Sequence, residues 1–64
     1  MRWTDVRKIA EELEISHPGV DVVHIRFTDL WQMVCNLDGF VDDPKKCNEK
    51  ILEAIQACWL EEKE

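Results

Sequence analysis

Apolar residues recur at helical spacing in three separate stretches of this chain, and start and stop residues bound each stretch. Val6, Ile9, Ala10 and Leu13 stand at i, i+3, i+4 and i+7, which places four side chains on one helix face. Thr4 is a suitable N-cap, and Asp5 puts an anion in the first turn, where the helix dipole favours it. Glu11, Glu12 and Glu14 point largely away from the stripe. Pro18 disfavours helical backbone at His17, so this helix should close near Ser16, with "HPGVD" as a turn.

The second stretch is Leu30, Met33, Val34 and Leu37, with Thr28 as cap and Asp29 in the first turn. Trp31, Cys35 and Asp38 lie along one flank, and Gln32 and Asn36 face out. Gly39 stands where a left-handed C-cap is wanted, with Phe40 folding back as the contact of a Schellman motif. Asp43 and Pro44 form a helix start, an N-cap followed by proline at the first helical position. The third helix is expected from Pro44 to about Glu61. Its Ile51, Ile55 and Cys58 face the core, with Cys47, Leu52 and Trp59 on the margins and Glu53, Ala57 and Leu60 outward. "VVHIRF" reads two ways: Val23, Ile25 and Phe27 alternate as on a short strand, or Asp21 caps a single turn over 22–25. A short irregular turn leading into two or three extended residues is expected.

Three short stripes in 64 residues make one domain, residues 1–64, and a chain of this size buries about 60% of its unfolded surface. With 45% hydrophobic residues it is globular rather than disordered. Apolar runs are far too short for a membrane span, and "MRWTDVRKIAEELE" lacks the apolar centre of a signal peptide, so a cytoplasmic monomer is expected. Cys35, Cys47 and Cys58 are odd in number and include no C-x-x-C, which signals neither a disulfide framework nor a zinc finger. Cys47 and Cys58, eleven apart on one expected helix, would stand roughly 16 Å from each other. They read as small apolar filler, and His17 and His24 as surface histidines.

The net charge of −6 decides between partner classes. Nucleic acid needs a Lys/Arg face to displace counterions, and the basic cluster Lys45, Lys46 and Lys50 is flanked by Asp42, Asp43 and Glu49. A basic protein surface or a cation fits better. No nucleophile has a histidine placed beside it, and the two glycines lie too far apart for a phosphate loop. Binding rather than catalysis is the expectation.

"RWTD", "RFTDL", "FVDDP" and "NEKILEAIQACWLEE" together resemble the IscX family of bacterial iron–sulfur cluster assembly, over nearly the whole chain and in the same order. The resemblance implies a mainly α fold, three helices in a small winged-helix-like domain with at most very short strands. It implies a non-enzymatic acidic adaptor that docks on the cysteine desulfurase, competes there with frataxin and ferredoxin, and binds Fe2+ weakly without a cluster of its own. The matching positions give Asp5, Glu12, Asp29, Asp38, Asp42 and Asp43 for partner binding, and Asp38, Asp42, Asp43 and Glu49 for the metal. Asp5, Asp29 and Asp43 are equally explained as helix-start residues, whereas Asp42 has no capping job and is the sharper candidate. Departures from the family pattern weaken the metal side. "PGVDV" keeps only Asp21 where relatives carry more acids, Val41 replaces a further acid, and Cys47 stands where a small polar residue is usual. A generic acidic interaction domain without a metal is the alternative.

Overall fold

A computed structural model describes all 64 residues and contains α1 (Val6–Ser16), α2 (Phe27–Cys35), a 3-10 turn (Pro44–Lys46) and α3 (Glu49–Glu62), with no strand. The fold is mainly α, as the three stripes require. α1 turns inward the residues its periodicity indicates: Ile9, Ala10 and Leu13 are buried, and Val6 is half-buried. Its start differs from expectation. Arg2 to Asp5 form a tight turn, closed by the Asp5 N–H donating to the Arg2 carbonyl at 2.9 Å. Asp5 takes the N-cap position, yet its carboxylate accepts the Arg2 N–H rather than a helical one. Thr4 therefore lies inside this turn and caps nothing. At the other end the His17 N–H closes on Leu13 and Pro18 forbids continuation.

α2 starts one residue before Thr28, so Thr28 is not its cap; the N-cap is Arg26, with no side-chain bond. Core packing of half-buried Phe27 and buried Leu30 sets this start, since tertiary burial outweighs local capping in a nine-residue helix. The alternation expected over residues 23–27 is also broken: Val22 is buried and Val23 is exposed. Asp21 accepts the His24 N–H and pairs with the His24 ring at 2.8 Å, which makes a local turn. Gly39 has φ +83°, as its position demands, but α2 has already ended at Cys35. Gly39 is instead the third residue of a turn closed by the Phe40 N–H on the Leu37 carbonyl at 3.1 Å. Phe40 meets the ring of Trp3 edge-on, with centroids 4.7 Å apart, rather than the preceding helix.

The expected third helix is two elements. Asp43 caps only the 3-10 turn, accepting the Lys45 N–H at 2.9 Å. Cys47 and Asn48 are then extended, and Asn48 starts α3 by accepting the Ile51 N–H at 3.0 Å. Cys47 thus lies outside the helix that carries Cys58. The inward face of α3 is Leu52, Ile55 and Trp59, one position round from the Ile51, Ile55 and Cys58 expected. Trp59 decides the rotation, because a buried indole removes more apolar area from water than any alternative on that face.

Trp59 is fully buried, and its indole N–H donates to Glu14 Oε1 at 2.9 Å. Glu14 also pairs with Lys63 at 2.9 Å, and Lys63 donates to the Pro18 carbonyl. Glu14 therefore clamps the ends of α1 and α3 rather than pointing away from the stripe. Lys63, then Trp59, hold its carboxyl below the usual carboxylate range. The core of eleven buried side chains holds no polar residue, and no buried polar side-chain atom lacks a partner.

Candidate functional site

Four of the proposed acids gather around the N-terminal arm. The Met1 carbonyl accepts the Val41 N–H at 3.0 Å and the Met1 nitrogen donates to the Gly39 carbonyl, so the arm lies along residues 39–41. Trp3 is buried and its indole donates to the Asp43 carbonyl at 2.8 Å. Asp42 is engaged on both oxygens: Oδ2 accepts the Trp3 N–H at 3.1 Å, and Oδ1 accepts the Asp43 N–H at 2.7 Å. Those two N–H groups hold its carboxyl below the usual range, and the charges of Lys46 and Arg2 add to the effect. Asp42, expected to be free of any capping job, is thus the acid most committed to structure. Asp43 caps the 3-10 turn and Asp5 closes the Arg2 turn. Asp38, exposed in the turn before Gly39, has no side-chain partner in the chain.

The other candidates lie elsewhere. Glu12 is half-buried on α1, and Glu49 is exposed in the first turn of α3. Asp29 is exposed at the start of α2 and lines a groove that the arm does not reach. The six partner-binding candidates therefore come from α1, α2 and the turns that hold the arm. Asp38, Asp42, Asp43 and Glu49 do not converge: no three His, Cys, Asp or Glu side chains stand together as a metal would require. The donor set does not fit a preformed iron site, and both Asp42 oxygens already accept a backbone N–H.

The charge is unevenly spread. Along the sequence, residues 1–5 and 38–50 carry five acids and four Lys/Arg, close to balance. The rest of the chain carries nine acids against four bases and so holds nearly all of the excess. Of those nine, Glu61 and Glu62 pair with Arg7, and Glu14 with Lys63. Glu11, Glu12, Asp29, Glu53 and Glu64 make no ion pair. Reading single motifs drew attention to "DDP" and away from this distribution. A running tally of Lys and Arg against acids along the chain would have exposed it.

The cysteines are free, and burial pushes the Cys35 and Cys47 thiols up, which keeps both protonated at neutral pH. Neither has the electropositive setting of a reactive thiolate. No helix is long and apolar enough to cross a membrane.

The family model for iron-sulphur cluster assembly matches residues 1–64. An uncharacterized protein of Pseudomonas aeruginosa is 48% identical over 64 residues, covering 100% of this chain and 97% of the relative.

Proposed function

The chain belongs to the iron-sulphur cluster assembly family, the IscX family that its motifs resemble, and from that premise we propose that it is an acidic adaptor docking on the cysteine desulfurase of that system. The observation that carries the reading is the charge distribution. A net −6 is displayed on a surface where no charged side chain is buried and where most acids outside the arm region have no internal ion pair. Such a surface is repelled by phosphate and attracted to a basic protein face, which supports a protein partner over nucleic acid. Docking uses the carboxylates the fold leaves free, Glu12, Asp29 and Asp38 among the motif positions. Asp5, Asp42 and Asp43 support it by fixing the arm. Frataxin and ferredoxin compete for the same basic face of the enzyme.

Ferrous iron takes second place in this reading. Exposed carboxylates attract a divalent cation, and Asp38 and Glu49 are free to do so. The absence of three converging ligands favours weak, diffuse association and lends support to the metal-free alternative, an acidic interaction domain alone.

The test is a calorimetric titration of the intact chain into the desulfurase across a salt series. Affinity is expected to fall steeply as the screening length drops from about 30 Å at 0.01 M salt to about 8 Å at 0.15 M. Binding that ignores salt, or no binding at low salt, sinks the proposal.

A further inference from the structure

We propose that the groove between α2 and the loop of residues 17–25 is a separate binding surface, and that it receives an extended peptide segment bearing a lysine or arginine beside an aliphatic side chain. The groove encloses about 370 Å³. Its apolar wall is Val20, Ile25 and Met33, each half-buried and each packed only on its inner side against the core. Its polar edge is Asp29, Gln32 and Asn36, with His17 across from them on the loop. Asp29, Gln32, Met33 and Asn36 stand at i, i+3, i+4 and i+7, so they share one face of α2, next to the face that buries Leu30 and Val34.

The polar side chains of this edge make no bond within the chain. No side-chain hydrogen bond or ion pair in the chain involves Asp29, Gln32, Asn36 or His17. Asp29 still favours the start of α2 through the helix dipole, but that explains neither amide. The second wall is fixed in advance: Gln56 donates to the Val22 carbonyl at 2.8 Å, and Lys63 donates to the Pro18 carbonyl at 2.9 Å. A groove whose walls are already held spends little of its binding energy on ordering itself.

Chemistry selects the occupant. Each amide offers both a donor and an acceptor, which matches the alternating groups of an extended backbone. The aliphatic wall accepts an aliphatic side chain. Asp29 is the one carboxylate lining the groove, and no Lys or Arg lines it, so a cationic side chain completes the match and an acidic segment is repelled. The inference does not rest on the desulfurase reading; Asp29 is the only residue the two surfaces share.

The test uses the full chain, isotope-labelled, with two blocked peptides: acetyl-Gly-Leu-Lys-Val-Arg-Gly-amide and its counterpart with Glu for both basic residues. The basic peptide should shift the side-chain amides of Gln32 and Asn36 and the methyls of Val20, Ile25 and Met33. The acidic peptide should leave them in place. Asp29→Asn should weaken the basic peptide by about 3-fold, the size an exposed ion pair supplies, and Gln32→Ala should weaken both it and a Gln-substituted neutral peptide. Both variants are checked for unchanged helical circular dichroism. Shifts scattered over all exposed acids, with Asp29→Asn binding as wild type, would overturn the proposal in favour of general polyanion attraction. Equal shifts from n-butylammonium alone would overturn the peptide as occupant and leave a small-cation site.

Discussion

The Asp42 carboxylate accepts the backbone N–H of Trp3 at 3.1 Å across 39 residues of sequence, and so ties the N-terminal arm to the turn that follows α2. The same carboxylate accepts the Asp43 N–H. Asp42→Asn loses this double acceptance, because an amide has one acceptor oxygen and turns a donor toward the second N–H. The expected outcome is a melting temperature lowered by roughly 4–8 °C for a domain of this size. Asp38→Asn should melt as wild type. Thermal circular dichroism of the pair decides it, and equal melting of Asp42→Asn would remove the structural role argued for that residue.

Acid should weaken the fold through three carboxylates, of which Asp21 holds only its own local turn while Asp42 and Glu14 tie distant elements together. Asp42 and Glu14 both have folded-state pKa values held below their ordinary ones. Their contribution is therefore fully present above the usual carboxylate pKa of about 4 and is lost as pH falls through the lower folded values. Melting temperature followed from pH 7 to pH 2 should stay level and then fall below about pH 4. Asp42→Asn combined with Glu14→Gln should flatten that fall, and an unchanged slope in the double variant would contradict the assignment.

Asn48, not Thr28 or Thr4, carries a real helix cap. Asn48→Ala should cost about 1 kcal/mol by urea denaturation, whereas Thr28→Ala should stay within about 0.5 kcal/mol. The reverse order would mean that the break between the 3-10 turn and α3 does not exist in solution.

Trp59→Ala should cost about 3–5 kcal/mol, most of the stability available to a domain this small. Trp59→Phe fills most of the volume but leaves Glu14 with Lys63 as its remaining partner. It should remain folded, with a lower urea midpoint. Loss of far-ultraviolet helical signal at 25 °C in the first variant and its retention in the second is the expected pair of results.

The two glycines should respond in opposite directions to alanine. An added Cβ meets nothing within 4 Å at either position, so space does not distinguish them. Gly39 has φ +83°, where alanine is strained by about 1 kcal/mol. Gly19 lies outside that region, and alanine there should be neutral or stabilising by about 0.4–1 kcal/mol through the unfolded chain. Urea midpoints of the two variants check this.

The existence of the three helices was legible because each carries its own stripe, and a stripe of four residues does not depend on distant sequence. Helix ends were harder. Thr4 and Thr28 are good caps by type, but the Arg2–Asp5 turn and the burial of Phe27 placed the starts elsewhere. Asp43 and Pro44 are a true start signal that serves a 3-10 turn as well as an α-helix, so they masked Asn48 five residues later. The site was less legible than the fold. The structural duties of Asp42 and Glu14 depend on Trp3, Trp59 and Lys63, which lie 39 to 49 positions away in sequence. No local pattern announces such a partner. The groove beside Asp29 is invisible for the same reason, since half of its wall comes from the loop that Gln56 and Lys63 pin in place.

The arm described above has a consequence for how the molecule opens and closes. Four of the six hydrogen bonds made by Met1 to Trp3 join them to residues 39–43, and the other two stay within the Arg2–Asp5 turn, so seating the arm closes a loop of about 40 residues. Such closures carry their entropy cost before any contact repays it, and they form late relative to helix pairing. The amide hydrogens of Trp3, Val41 and Asp43 should therefore exchange together, as one cooperative unit that unlatches below the energy of global unfolding. The arm is a clasp on the helical body, and its opening would release Asp42 Oδ2 and the Asp43 carbonyl at the same moment.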